Sequence, residues 1–433
     1  MYRDFMLGKI ALIKETYLLY LIIALFFLLP YERIPSYELA GYTIKLSYIV
    51  ALILILVSLP RFISVFSKLK LGTSDKALLS FWLAGLFSIQ FSPDPGKSFV
   101  VLALWLFMII LYLLISRYLS DRIVREKAIT ALLITTAIVI VFGLYQFIGD
   151  SLGLPQNLTG LRNEYLKTIF GFPRIQSVNL EPLYFGNFLF VPFFLAASRY
   201  VEQKKPIGAY WWLLVGILIN VILGISRGVY LALAVSLVAY LVILIRRFKA
   251  GRQVTGIILA VVAAVAISLS LIAGLDGKAA LRNFLGHAQV NDVSTGESIP
   301  SRVNNYEIAG QLIVLKPIFG HGPGSYAVKA PQISNFPWLS KIVNNEYFEL
   351  IVETGFIGLF LFLLFILTAF NEVATRYRIT KNQENKGTIL ALICGAAAIL
   401  IQYNFFSTLY IIYIWVFWAL MKSFAVTGES LDE

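Results

Sequence analysis

Three carboxylates, Glu346, Glu349 and Glu353, open a strongly apolar run, "EYFELIVETGFIGLFLFLLFILTAF", directly after the pair Asn344–Asn345. Spacings of three and four residues place them on one face of a helix. At ~1.5 Å rise per residue, Glu353 lies about 10 Å further along that helix than Glu346. Glu346, at the mouth, is placed to meet a substrate hydroxyl and take its proton, with Asn344 and Asn345 to orient it. The deeper pair suits a structural role, such as ion pairs to arginines that hold neighbouring helices together.

Three arginines offer the complementary chemistry. Arg227 lies in "GISRGVY", Arg302 in "SRVNNYEIAG" and Arg174 in "GFPRIQSVNLEP", each at the edge of an apolar run. A charge at the centre of a membrane span costs ~2.5–3.5 kcal/mol on insertion scales and less near the interface. Such arginines either snorkel to lipid head groups or bind an anion. The guanidinium fork holds phosphate oxygens bidentately, and charge-assisted bonds are worth about 1.5–3 kcal/mol each. Converging arginines would suit a lipid-borne pyrophosphate and take the place of a metal as it leaves. The sequence has no D-x-D pair, only two histidines and one cysteine, so it predicts neither a metal site nor another cofactor. His321, in the glycine-rich stretch "FGHGPGSY", is a second candidate base; its alternative is an ordinary loop residue.

The elements that position these residues are membrane helices. Of the 433 residues 59% are hydrophobic and 14% charged, far from the balance of a soluble domain. At ~20 apolar residues per span, the chain suits one polytopic domain over 1–433. Apolar runs at about 17–30, 44–60, 77–92, 97–116, 127–148, 183–199, 207–224, 228–245, 254–275, 347–371, 387–405 and 408–426 predict an all-α integral membrane protein of about 12 transmembrane helices. The first run lacks a cleavage pattern and is expected as a retained span. With the N-terminus inside, the short Lys/Arg-rich loops all fall on the cytoplasmic side, so both termini are expected there. The net charge of +12 then faces the anionic inner leaflet. Basic residues dispersed among spans argue against nucleic acid. Cys394, inside "LALICGAAAIL", is expected as a core residue.

Two external segments are long, from about Asp150 to Pro182 and from about Asp276 to Glu346. Loops beyond ~15 residues are usually functional. The second, 276–346 between spans nine and ten, is expected to carry an amphipathic helix near 302–316. Ser301 would cap it, Val303, Ile308, Leu312 and Leu315 would form its apolar face along the membrane surface, and Pro317 would end it.

"NNEYFELIVETGFIG" resembles the signature of the bacterial O-antigen ligase and O-antigen polymerase family. That signature has a His, then Asn, Ser or Gln, nine residues, a Gly, two residues and another Gly. Asn344, Asn345, Gly355 and Gly358 keep the spacing. "SRG" at Ser226 to Gly228, "KPIFGHGPGSY" at Lys316 to Tyr326, and Arg302 with Tyr306 are also similar to family segments. The resemblance implies a GT-C-like, metal-independent glycosyltransferase. It would take a glycan from an undecaprenyl-pyrophosphate-linked oligosaccharide donor on the outer face of the inner membrane and pass it to a glycan acceptor. Membrane lipids and a chain-length regulator protein are its implied partners. Arg227 and Arg302 would correspond to the pyrophosphate-binding arginines, with Arg174 beside them, and Asn344 to the family histidine. Asparagine hydrogen-bonds but takes no proton, so Glu346 is the first replacement base and His321 the second. The loss of the histidine favours a polymerase, with a ligase as the alternative. A lipid-glycan flippase or small-anion transporter is the rival of another class, but transporters collect ionisable groups near the bilayer midplane, and the span centres here are nearly free of charge.

Overall fold

A computed structural model describes residues 16–33, 36–39, 42–66, 71–203, 205–288, 298–334, 341–407 and 409–426. It is an α-helical bundle. The principal helices are α1 (Thr16–Leu28), α2 (Leu46–Phe66), α3 (Thr73–Ser88), α4 (Pro95–Tyr118), α5 (Arg122–Ser151), α6 (Pro182–Gln203), α7 (Ala209–Gly224) and α8 (Arg227–Phe248). They continue with α9 (Gly251–Leu275), α10 (Gly277–Ala288), α11 (Ser298–Leu315), α12 (Tyr326–Ile333), α13 (Glu346–Ile379), α14 (Gln383–Gln402) and α15 (Ile412–Val426). Every one of the twelve apolar runs falls on a helix. Among the described residues, six helical stretches are long and apolar enough to cross a membrane by length and composition: α4, α5, α8, α9, α13 and Gln383–Phe405. Four shorter apolar stretches lie at Thr16–Leu28, Leu46–Pro60, Ala209–Gly224 and Ile412–Val426. One element departs from the all-α expectation: an antiparallel hairpin of Ser36–Leu39 and Tyr42–Lys45.

Local chemistry sets several boundaries. Asp94 caps α4 by accepting from the Lys97 N–H at 2.9 Å, with Pro95 in the first turn, where its missing N–H costs nothing. Asp121 caps α5 through the Val124 N–H at 3.0 Å, and Asn382 caps α14 through Glu384 and Asn385. The bundle is held by α13 against α3, α14 against α6 and α8, and α15 against α4. The outer surface is aliphatic. Leu231, Val235, Val238, Val242 and Ile245 form an exposed stripe along α8, a surface that hydrocarbon covers and water does not. Inside, buried polar groups pair, as in Asn187 Nδ2 donating to Gln402 Oε1 at 2.8 Å.

The 276–346 segment is more helical than the sequence suggests, containing α10 and α12 besides α11. Helix α11 also corrects the expected cap and face. It begins at Ser298, so Ser301 lies within it; Pro300 is tolerated in a first turn. Its inward face is Asn304, Asn305, Ile308, Ala309 and Leu312, while Val303 and Leu315 point outward. Asn305 Nδ2 donates to the Ile342 carbonyl at 3.1 Å and Asn304 Nδ2 to Ser334 Oγ at 2.8 Å. Partner bonds, rather than apolarity alone, orient the helix.

Candidate functional site

Helix α13 is two helices joined at Gly355, whose φ of 69° and ψ of −176° interrupt the helical ladder. A Cβ at Gly355 would come within 2.0 Å of the Ile318 carbonyl oxygen, so the position admits glycine alone. The broken backbone groups are met by the glycine-rich turn. Phe356 N–H donates to the Pro317 carbonyl at 2.8 Å, and His321 and Gly322 N–H donate to the Val352 and Glu353 carbonyls, each at 2.8 Å. The three carboxylates therefore sit on a short helix clamped by the 317–322 turn, not at the mouth of one continuous span.

Asn345 caps this short helix, its side-chain oxygen accepting from the Phe348 N–H at 3.1 Å. Asn344 precedes it with φ of 62°. Asparagine and histidine are among the few residues that tolerate that left-handed conformation, a backbone reason for either to stand there. Glu346 is the first helical residue and is 3% exposed. Glu349 accepts from the Val343 N–H at 2.9 Å and from Tyr410 Oη at 3.3 Å. Glu353 has the backbone N–H groups of Gly324 and Tyr326 nearby. Glu349 thus ties loops through a backbone amide and a hydroxyl, where ion pairs to arginines were expected.

The arginines lie across a loop from these residues. Arg227 is exposed at the first position of α8, where a cation adds to the positive end of the helix dipole and favours an anion. A Cβ at Gly228 would stand 3.0 Å from Cβ of Phe405, so the start of α8 presses on the 403–405 turn. The next residue back, Asn404, offers its carbonyl to Tyr306 Oη at 3.2 Å and to Asn345 Nδ2 at 3.4 Å. Tyr306 also donates to the Asn344 carbonyl at 3.5 Å. One helical turn before Tyr306 stands Arg302. Burial lowers the pKa of its guanidinium, and Tyr306, Arg227 and Glu181 are the next influences on it. Arg227 and Arg302 are therefore electrostatic neighbours, and the elements that carry them meet Asn344 and Asn345 through Tyr306 and Asn404.

Arg174 holds the turn that presents Arg227. Its Nη2 donates to the Ile225 carbonyl at 2.9 Å and the Gly224 carbonyl at 3.4 Å, and its guanidinium lies 5.5 Å from the Tyr165 ring and 5.3 Å from that of Phe170. Ile225 is left-handed there. Burial lowers the Arg174 pKa too, and Arg227 is among the nearby charges. His321 is 1% exposed, and its Nε2 pairs with the Leu312 carbonyl at 2.9 Å. Burial, first of its causes, pulls its pKa below the ordinary value, so the ring is neutral and fastens α11 to the glycine-rich turn. Cys394 is buried, as expected.

Two residues of the site were not singled out by sequence. Asn404 shows only as a polar residue at the end of the apolar run 387–405. Glu181 stands before Pro182 at the start of α6. Burial raises its carboxyl pKa, against the lowering pull of Arg162, Arg174 and Arg302.

An aliphatic-coated bundle of long apolar helices is the architecture of a membrane protein. The sequence model of a family described as O-antigen ligase matches residues 212–363. The matched stretch includes Arg227, Arg302, His321, Asn344, Asn345 and Glu346. The match covers about a third of the chain, and that stretch is similar to the O-antigen ligase family. No curated protein matches the chain.

Proposed function

We propose that the protein transfers a glycan en bloc from undecaprenyl pyrophosphate to an acceptor sugar, as a polymerase of O-antigen or a related polysaccharide. In this reading about twelve helices cross the inner membrane, both termini are cytoplasmic and the site faces the external side. The donor enters from the outer leaflet. Arg227 and Arg302 bind its pyrophosphate, and Arg174 holds the Arg227 turn. The acceptor hydroxyl oxygen attacks the anomeric carbon, the bond from that carbon to the phosphate oxygen breaks, and the arginines stabilise the departing charge. Glu346 takes the hydroxyl proton, with Asn344 and Asn345 orienting the acceptor. Membrane lipids surround the bundle, and a chain-length regulator is its proposed protein partner.

The observation that supports this reading best is the junction at Tyr306 and Asn404, which links the elements bearing Arg227 and Arg302 to Asn344 and Asn345. The description of the matched family favours a second reading, a ligase that makes a single transfer to a different acceptor. Incubating purified protein with an undecaprenyl-pyrophosphate oligosaccharide, alone and with candidate acceptors, separates the two. A ladder from donor alone is the expected result. A single product that needs an added acceptor means ligase. No transfer under either condition overturns both readings and favours a transporter.

A further inference from the structure

Helix α11 changes character along its outward face. Glu307 and Gln311 are exposed, but the last turn exposes Val314 (79%) and Leu315 (69%) instead. Pro317, Ile318 and Phe319 follow, all three exposed. Lys316 is the polar side chain of this corner, and it turns away from its neighbours. Its Nζ donates to the Phe91 carbonyl at 3.1 Å and lies 5.1 Å from the centre of the Phe91 ring. The Phe319 ring stands 4.9 Å from that of Phe87 and 5.9 Å from that of Phe91, so the corner packs on the end of α3. Main-chain bonds fix it to α13 as well: the Phe356 and Ile357 N–H groups donate to the Pro317 and Ile318 carbonyls at 2.8 and 3.4 Å.

These bonds set the depth of the corner. Below Ile357 the outward residues of α13 are Phe360, Leu363 and Leu367, and the same stripe then turns polar at Asn371, Thr375 and Arg378. Asn371 thus marks where the lipid-facing surface ends at the far side. From Asn371 to Ile357 the helix rises about 21 Å at ~1.5 Å per residue. A hydrocarbon core is about 30 Å thick, which leaves about 9 Å of it beyond Ile357, and more if α13 tilts. The corner is bonded at that level, and its apolar surface runs without a break into Leu83, Leu86 and Phe87 of α3 and Phe356 and Phe360 of α13. We infer that the 314–319 corner is a membrane anchor, the end of a non-spanning helix sunk into the leaflet on the site's side and covered by phospholipid acyl chains. The Lys316 stem lies along apolar surface while its ammonium reaches back towards the loop at Phe91, as a lysine at an interface does. The anchored turn is the one that clamps the Gly355 break, so lipid holds the short helix of Glu346 from outside. Neither the depth nor the occupant depends on glycan transfer.

The test is spin-label accessibility in the full chain, reconstituted into liposomes of phosphatidylethanolamine and phosphatidylglycerol. Cys394 is buried, and unsubstituted protein serves as the labelling blank. Val314→Cys, Leu315→Cys and Ile318→Cys probe the corner, Phe360→Cys the lipid-facing stripe and Glu307→Cys the watery part of α11; all five side chains are exposed. Labels at 314, 315 and 318 should follow the label at 360, colliding freely with oxygen and losing the broadening that a water-soluble nickel chelate produces at 307. Nickel broadening at the corner equal to that at 307 puts it in water and overturns the inference. Shielding from both oxygen and nickel means that protein, a second copy or another chain, covers the corner, and overturns it equally. If Ile318→Cys fails to fold, the two α11 positions decide.

Discussion

Where α3 begins and α4, α13 and α15 near their ends, four charges close on one another. Arg117 Nη2 meets Asp75 at 2.8 Å, Lys422 Nζ lies 3.5 Å from Asp75 and pairs with Glu372, and Ser74 Oγ donates to Glu372 at 2.7 Å. Lys422 is 3% exposed. Glu372 is 17 residues past Gly355, about 25 Å along the helix at ~1.5 Å per residue. Beyond the short helix at the other end of α13, Arg174 and Arg302 are largely buried and Arg227 beside them is exposed, without such closure. Desolvation of the first group is offset by mutual pairing, which serves structure. The second group lacks that pairing among the described residues, as the proposed donor site requires.

The comparison is broken most sharply at Glu346. Glu346→Gln keeps the shape and removes the base, so turnover at saturating donor should fall by ~10²–10⁴-fold, with little change in donor KM. His321→Ala should leave turnover nearly intact while lowering thermal stability by about 0.5–1.5 kcal/mol, since it removes the Nε2 bond to the Leu312 carbonyl, which keeps the Lys316 N–H. A dead histidine variant beside an active glutamine variant would move the base to the glycine-rich turn.

Next come the arginines. Arg227→Ala and Arg302→Ala should each reduce transfer by about 10²–10³-fold, the scale of losing a donor to developing charge, with melting temperature near that of wild type. Lysine should restore little at either position, because it lacks the fork. Wild-type activity in an alanine variant removes that residue from the site.

At the paired end the sign reverses. Lys422→Met leaves Asp75 and Glu372 short of a cation and should destabilise the fold by about 3–5 kcal/mol, read as a lowered melting temperature in detergent. Transfer by the protein that remains folded should be near wild type. A large loss of donor binding instead would tie this network to the chemistry.

The smallest effects are expected where the backbone already accepts the change and where no ligand is needed. Asn344→His suits the left-handed conformation at that residue and should fold and transfer at least as well as wild type. EDTA should leave transfer unchanged; a loss that magnesium restores would contradict arginine stabilisation of the leaving group.

The short-range part of this molecule was legible in its residues. Long apolar runs must become helices, because a chain in hydrocarbon has to bond its own backbone, and all twelve did. The spacing of Glu346, Glu349 and Glu353 put them on one helix, and Arg227 stands at the first position of α8, where an apolar run begins. Periodicity failed where the backbone's partners lay far away in sequence. The break at Gly355 exists because the 317–322 turn supplies its hydrogen bonds, and α11 turned Asn304 and Asn305 inward because Ser334 and Ile342 receive them. The same holds for the site. Sequence alone determined which residues carry charge and near which end of a helix they stand. Tertiary structure decided that Asn404 would bridge Tyr306 and Asn345 and that Arg174 would serve the Arg227 turn. Such contacts join residues 51 to 98 positions apart, and only the packing of helices brings their short-range electrostatics into play.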